Sequence, residues 1–159
     1  MSRIEELYSL KGLRIVVTGA SSGLGLTTAI MLAECGAKVF GLSRSGVVKV
    51  EYNGVIPESI NFEKMDIANE NDVNHKLTEI GEEGGIDVLV NNAGVTLKKP
   101  AIQITNTDLE YMNSINVNGV YHCCKYAFPF LKQSTQIGRI VSISSMASYL
   151  GFSEVVPYC

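Results

Sequence analysis

Short apolar runs, rich in β-branched residues, are the clearest pattern along the chain. Three of them, "LRIVVTG" from Leu13, "IDVLVNNAG" from Ile86 and "RIVSISS" from Arg139, lack the alternation of a strand with one solvated face. This pattern favours parallel strands that are buried on both faces. The stretches "AKVFGLS" from Ala37 and "INFEKMD" from Ile60 predict two further strands.

Helical periodicity occupies the segments between these strands. It predicts a helix over 24–35 that ends at Gly36, a polar helix over about 69–82, and a longer helix over 108–132. Because proline removes a helix hydrogen bond, we expect a kink or an early end at Pro129.

The alternation of strand and helix predicts an α/β fold: an open, doubly wound parallel sheet with helices on both faces and the strand order 3-2-1-4-5. The segment 45–59, "SGVVKVEYNGVIPES", is too short and too rich in Gly and Pro for a crossover helix, so we expect a loop or a small hairpin. The 159 residues are 46% hydrophobic and 18% charged, which suits one globular domain over residues 1–159.

Charge and cysteine patterns argue against several classes of function. The net charge is −3 and the 13 Lys and Arg residues are scattered, so no basic face for a nucleic acid is predicted. The N-terminus carries Arg3, Glu5 and Glu6 where a signal peptide needs an apolar core, and no apolar stretch approaches the roughly 18 residues of a membrane span. We therefore expect a cytoplasmic protein with no membrane partner. Reduced structural thiols and no metal site are expected, because metal-ligand spacing is missing among Cys35, Cys123, Cys124, Cys159, His75 and His122.

The sequence "VVTGASSGLG" places three glycines at the turn from the first strand into the first helix. Gly19 allows a tight turn, Gly23 lets the backbone approach a phosphate, and Gly25 lets the helix pack closely on the strand. The helix N-terminus favours an anion, and Ser21 and Ser22 add hydroxyl donors. Glycines also occur in such turns for purely steric reasons, so the pattern alone leaves both interpretations open.

The Gly-x-x-x-Gly-x-Gly spacing of "TGASSGLG" resembles that of the short-chain dehydrogenase/reductase family. Three further stretches resemble the family in the same order: "NNAG" over 91–94, "SINVNG" with Asn116 at the active-site asparagine, and "RIVSISS" ending on Ser145 at the active-site serine. The resemblance implies a Rossmann-like fold and hydride transfer between a nicotinamide cofactor and a small alcohol or carbonyl substrate. It implies cofactor contacts from Gly19, Ser21, Ser22, Gly23, Leu24, Gly25, Ser43, Arg44, Asp66, Ile67, Asn92, Ala93 and Gly94.

The resemblance also bears on which nicotinamide is used. The position that is acidic in NAD-preferring members is Ser43 here, and Arg44 follows it. An arginine there can pair with the 2′-phosphate of NADP, or it can be an ordinary solvated loop residue. The family's other basic position is Ser22 here, which weakens the case for NADP without supporting NAD. We expect NADP, with NAD as the alternative. Asp66 matches the family's adenine-contacting aspartate, or it is the N-cap of the polar helix.

The resemblance assigns the proton transfer to a tyrosine. Tyr158 follows Ser145 by 13 residues, which is the family's spacing, so Ser145 would bind the substrate oxygen and Asn116 would hold a water in the proton relay. A tyrosine with an ordinary pKa near 10 needs a nearby positive charge to act at neutral pH. The family supplies it from a lysine four residues later, at position 162 here, whereas the sequence reaches Cys159. We therefore expect the family's C-terminal strands and helices to be absent from this chain, and its fifth strand to form an uncovered edge.

Two other functions stay open at this stage. One is a non-catalytic nucleotide-binding or interaction protein, and the other is a sugar-nucleotide epimerase or dehydratase, against which the glycine spacing and "NNAG" argue. Lys98 and Lys99 are interpreted as solvated loop charges. The resemblance implies a homo-oligomer in the full-length form, paired partly through the helix that carries Asn116.

Overall fold

A computed structural model describes residues 8–49, 52, 54–136 and 138–159. Its five strands form one parallel sheet in the order β3-β2-β1-β4-β5, which confirms the predicted topology. The strands are β1 (Arg14–Thr18), β2 (Lys38–Ser43), β3 (Ile60–Lys64), β4 (Val88–Asn91) and β5 (Arg139–Ser142).

The first two helices lie where periodicity predicts them. Helix α1 spans Gly23–Glu34 and α2 spans Glu70–Gly84. Gly36 ends α1 with a φ of +98°. The N–H of Gly36 bonds to the carbonyl of Ala33, and the next N–H bonds to that of Leu32. This pair of bonds is the Schellman motif, in which glycine is favoured because it adopts positive φ without a steric penalty.

The long helical segment is divided differently from the prediction. It begins as α3 (Asn106–Asn113), continues through a π-helical segment (Ser114–Gly119) and ends as α4 (Val120–Gln133). The helix does not end early at Pro129, because α4 runs four residues beyond it. Ala127 and Leu131 on either side of the proline are buried, so tertiary packing outweighs the missing hydrogen bond.

The described part of the connection from β2 to β3 is a loop. Its described residues form turns and bends and contain no strand, which agrees with the loop rather than the hairpin alternative. Residues 50, 51 and 53 of this connection lie outside the described residues, as do residues 1–7 and 137.

Buried apolar side chains cover both faces of the sheet, as a doubly wound fold requires. One cluster joins the sheet to α1 through residues such as Leu26 and Ile30. The other joins it to α2 and α4 through Leu77 and Leu131. Strand β5 lies at one edge of the sheet, and its four residues are exposed. Among the described residues, no helix combines the length and apolarity needed to cross a membrane.

Candidate functional site

A groove of about 390 Å³ lies at the carboxyl ends of the strands, where open parallel sheets bind ligands. Twelve of the thirteen predicted cofactor contacts line it: Gly19, Ser21, Ser22, Leu24, Gly25, Ser43, Arg44, Asp66, Ile67, Asn92, Ala93 and Gly94. Gly23, the thirteenth, does not line the groove. Lys49, Val95 and Ile115 also line it and were not anticipated from the sequence.

Two glycines are required by close contacts in the turn after β1. Gly19 has a φ of +70°, and a Cβ there would come within 2.8 Å of the Cα of Ala93. A Cβ on Gly25 would overlap the carbonyl oxygen of Gly19 and the amide of Asn92. The turn after β1 therefore packs directly on the turn after β4, and side chains at either glycine would separate them.

The N-terminus of α1 is suited to an anion. Its N-cap residue, Ser22, makes no side-chain capping bond, and the first turn contains no acidic residue. Gly23 has a φ of +54°, and no atom lies within 4 Å of the position of its missing Cβ. The first N–H groups of a helix lack intrahelical acceptors, and the dipole adds a partial positive charge. These features fit the pyrophosphate of a dinucleotide.

Thr18 positions the "NNAG" turn and was not identified as a site residue from the sequence. Its buried hydroxyl oxygen accepts hydrogen bonds from the backbone N–H groups of Asn92 at 3.1 Å and Ala93 at 3.0 Å. The side-chain amide of Asn92 donates to the Thr18 carbonyl at 3.0 Å. The sequence signal that could have identified Thr18 is its position at the end of a buried strand, because a buried hydroxyl needs hydrogen-bond partners.

Asp66 lines the groove but does not cap the polar helix, so that alternative interpretation was wrong. The cap of α2 is Asn69, whose side-chain oxygen accepts from the N–H groups of Asn71 at 3.0 Å and Asp72 at 3.2 Å. Asp66 instead accepts from the N–H of Ala68 at 3.0 Å, in a turn that precedes the helix.

A second cavity, of about 690 Å³, adjoins the groove and shares residues 92–95 with it. The three predicted catalytic residues, Asn116, Ser145 and Tyr158, all line this cavity. Ser145 stands at the end of the segment after β5, and its hydroxyl accepts from the N–H of Ala147 at 3.2 Å. Tyr158 lies in a single 3₁₀ turn, Val156–Tyr158, with 38% of its surface exposed.

Asn116 lies in the π-helical segment and binds the backbone of the loop after β4. Its Oδ1 accepts from the N–H of Val95 at 2.9 Å, and its Nδ2 donates to the Val95 carbonyl at 2.8 Å. Single π-helical turns inside α-helices are frequent at functional sites, where they redirect a side chain. The sequence indicated the residue but gave no sign of this local geometry.

The loop after β4 is also held by charge, which corrects the interpretation of Lys99 as a solvated residue. Its ammonium group lies 2.7 Å from Oδ2 of Asp108. This bond, together with the N–H and hydroxyl of Thr105, lowers the pKa of Asp108 to about 2. The backbone N–H of Lys99 donates to the carbonyl of Glu154 at 2.7 Å. Lys98 remains exposed, 3.4 Å from the Glu154 carboxylate.

The cysteines have little chemical role in this arrangement. None of the four forms a disulfide, and burial raises the pKa of the Cys123 thiol to about 12. Within the part of the chain that the structure describes, no three His, Cys, Asp or Glu residues are grouped to hold a metal ion.

Comparisons with known proteins agree with the sheet order and the glycine turn. A family model described as short chain dehydrogenase matches residues 14–159. D-erythrulose reductase of Gallus gallus is 30% identical over 158 residues, covering 98% of this chain and 62% of that protein. Gluconate 5-dehydrogenase of Gluconobacter oxydans is 32% identical over 157 residues, covering 96% of this chain and 61% of that protein.

A solved structure from Beutenbergia cavernae with bound NADP at low occupancy superposes with a TM-score of 0.83. The two chains are 29% identical, and the match covers 95% of this chain and 61% of the solved one. The chain thus spans less than two thirds of the length of each of these three relatives. On its matched residues and its fold, the chain belongs to the short-chain dehydrogenase/reductase family.

Proposed function

We propose that the protein is an NADP(H)-dependent oxidoreductase that transfers hydride between the nicotinamide and an alcohol or carbonyl group of a small molecule. The observation that carries the proposal is the arrangement of Asn116, Ser145 and Tyr158 around one cavity, which opens beside a groove suited to a dinucleotide. Reduction of a carbonyl requires both a hydride donor and a proton donor. The groove would hold the hydride donor, and Tyr158 in the adjoining cavity would be the proton donor.

In this proposal the groove holds the cofactor. The uncapped N-terminus of α1 would bind the pyrophosphate, and Asp66 and Ile67 would contact the adenosine. The "NNAG" turn, fixed by Thr18, forms the floor between the groove and the cavity. The nicotinamide, when bound, supplies or accepts the hydride.

The protein's own residues would handle the substrate oxygen and its proton. The Ser145 hydroxyl donates a hydrogen bond to that oxygen, and the Tyr158 hydroxyl gives it a proton during reduction or removes one during oxidation. Asn116 fixes the loop at Val95 beside them. A nearby cation would assist this proton transfer at neutral pH, and the family resemblance implies a lysine four residues after Tyr158 in that role.

The choice of NADP rests on the end of β2. An NAD-preferring site needs a carboxylate there to bind the ribose hydroxyls, whereas this chain has the neutral Ser43 followed by Arg44. The exposed guanidinium lines the groove and can pair with a 2′-phosphate. The relative from Beutenbergia cavernae that was solved with NADP supports the same choice.

The test uses the protein expressed from its complete reading frame, assayed with NADPH and a panel of carbonyl compounds including keto-sugars. Tyr158→Phe removes only the hydroxyl, and we expect kcat to fall by about 10²- to 10⁴-fold with little change in the dissociation constant of NADPH. Tyr8→Phe, at an exposed position outside both cavities, is the matched control.

Three results would change the proposal. If the protein binds neither NADPH nor NADH, the nucleotide function is wrong. If it binds them but reduces no carbonyl and oxidises no alcohol, the alternative of a non-catalytic nucleotide-binding protein is favoured. If Tyr158→Phe keeps the full rate, another residue transfers the proton.

A further inference from the structure

We propose that Lys49 is a second cation of the 2′-phosphate site and determines, together with Arg44, the preference for NADP. This inference rests on the proposed function. Lys49 lies six residues beyond the end of β2, in the β2–β3 loop, and lines the same groove as Arg44. It supplies the basic group that the glycine turn lacks, because the residue before Gly23 is Ser22.

The loop after β2 is folded back onto the glycine turn by specific bonds. The Ser43 hydroxyl accepts from the N–H of Gly46 at 3.1 Å, closing a tight turn around Arg44. Gly46 has a φ of +70°, and a Cβ there would come within 2.9 Å of the backbone nitrogen of Lys64. The turn is therefore packed against β3, which directs the chain back over the groove.

A hydrogen bond of Lys49 then joins the two sides of the groove. Its backbone N–H donates to the carbonyl of Ser21 at 2.9 Å. The backbone of Lys49 is thus fixed beside the glycine turn, while the residue as a whole is exposed. Lys49 lines the groove together with Ser43 and Arg44, where the proposed cofactor would place its adenosine ribose.

The charges in the groove favour a dianion at this end. Its charged lining residues are Arg44, Lys49 and Asp66. Among the residues that the structure describes, no carboxylate lies within ion-pair distance of Arg44 or Lys49. The pyrophosphate would be bound by the N-terminus of α1, so it does not need these two cations. Two cations in one groove suit the extra phosphate that distinguishes NADP from NAD.

The experiment compares the dissociation constants of NADPH and NADH, from the fluorescence of the reduced nicotinamide, for the protein expressed from its complete reading frame. Lys49→Gln keeps the backbone N–H that binds Ser21 and removes the charge. We expect it to raise the dissociation constant of NADPH about ten-fold and that of NADH less than about two-fold. Arg44→Gln should act in the same direction, and the double variant should bind NADPH more weakly than either single variant.

Lys11→Gln is the matched control, since Lys11 is an exposed lysine that precedes β1, at the opposite end of the sheet. It should change both constants by less than about two-fold. Thermal unfolding of each variant checks that the fold is intact.

The outcomes separate this inference from the proposed function. If Lys49→Gln leaves NADPH binding unchanged, or weakens NADPH and NADH equally, the assignment of Lys49 to the 2′-phosphate is overturned while nucleotide binding stands. An equal loss would instead indicate contact with the pyrophosphate. If the unaltered protein binds neither nucleotide, the proposed function and the inference both fail.

Discussion

The side chain of Asn116 satisfies both backbone polar groups of Val95 at once, accepting from its N–H at 2.9 Å and donating to its carbonyl at 2.8 Å. The pair joins the π-helical turn of the long helix to the loop that separates the cofactor groove from the substrate cavity. An asparagine is suited to this bond pair because its amide carries an acceptor and a donor side by side.

Asn116→Asp keeps the shape of the side chain but replaces the donor by an oxygen. We expect the free energy of unfolding to fall by about 1–3 kcal/mol, because the Val95 carbonyl loses its donor and faces a carboxylate. Repulsion between the new carboxylate and the Val95 carbonyl should push the side chain away from the loop, so hydrogen exchange at the Val95 amide should accelerate locally. Asn113→Asp, in the preceding helical turn, is a control for the added charge. Unchanged exchange at Val95 would show that the bond pair does not hold the loop.

The two glycines at the start of α1 should respond differently to substitution by alanine. Gly25→Ala places a methyl group on the Gly19 carbonyl and the Asn92 amide, so both turns must move. We expect a loss of several kcal/mol, about 3 or more, as for overpacked cores. The methyl group of Gly23→Ala would contact no other atom. We therefore expect the free energy of unfolding to fall only by the strain of a positive φ, about 1–2 kcal/mol.

Chemical denaturation and nucleotide titration distinguish these two effects. Gly23→Ala should remain folded and bind NADPH and NADH more weakly, because strain at its positive φ would displace the N–H groups at the start of α1. Gly25→Ala should lower the denaturation midpoint much further. Equal destabilisation of the two variants would contradict the steric distinction between them.

The strand order and the groove residues could be predicted because they depend on short, local patterns. Buried parallel strands show as apolar runs, and the glycine turn shows as a spacing. The π-helical turn at Asn116 and the role of Thr18 depend on contacts between distant segments, which no local pattern encodes. The early end considered at Pro129 does not occur for the same reason, because its neighbours Ala127 and Leu131 are held in the core by packing.

An exposed apolar stripe on α4 and the π-helical segment predicts self-association. Val117, Tyr121 and Phe128 are spaced by four and seven residues, so they share one helical face, and each is more than half exposed. Tyr121→Glu places a charge in this stripe, and we expect sedimentation equilibrium to show a smaller species than the unaltered protein. Met31→Glu, at an exposed apolar position on α1, should leave the mass unchanged. A monomeric unaltered protein would refute the prediction.

The ion pair between Lys99 and Asp108 should be visible as a pH effect. Lys99 and the N–H and hydroxyl of Thr105 hold the pKa of Asp108 at about 2, below its ordinary value of 3.8. A carboxyl whose pKa is lower in the folded state stabilises the fold above its ordinary pKa, and that contribution disappears as the pH falls through the folded value. The loss therefore lies between about pH 4 and pH 2.

Lys99→Met keeps the aliphatic stem and removes the charge, so the pKa of Asp108 should rise towards 3.8 and acid unfolding should begin at a higher pH. The chemical shift of the Asp108 carboxyl carbon, followed by NMR against pH, measures this directly. Lys98→Met is the matched control, because the adjacent Lys98 lies near Glu154 instead. If both variants shift the titration equally, general charge and not the direct bond sets the pKa of Asp108.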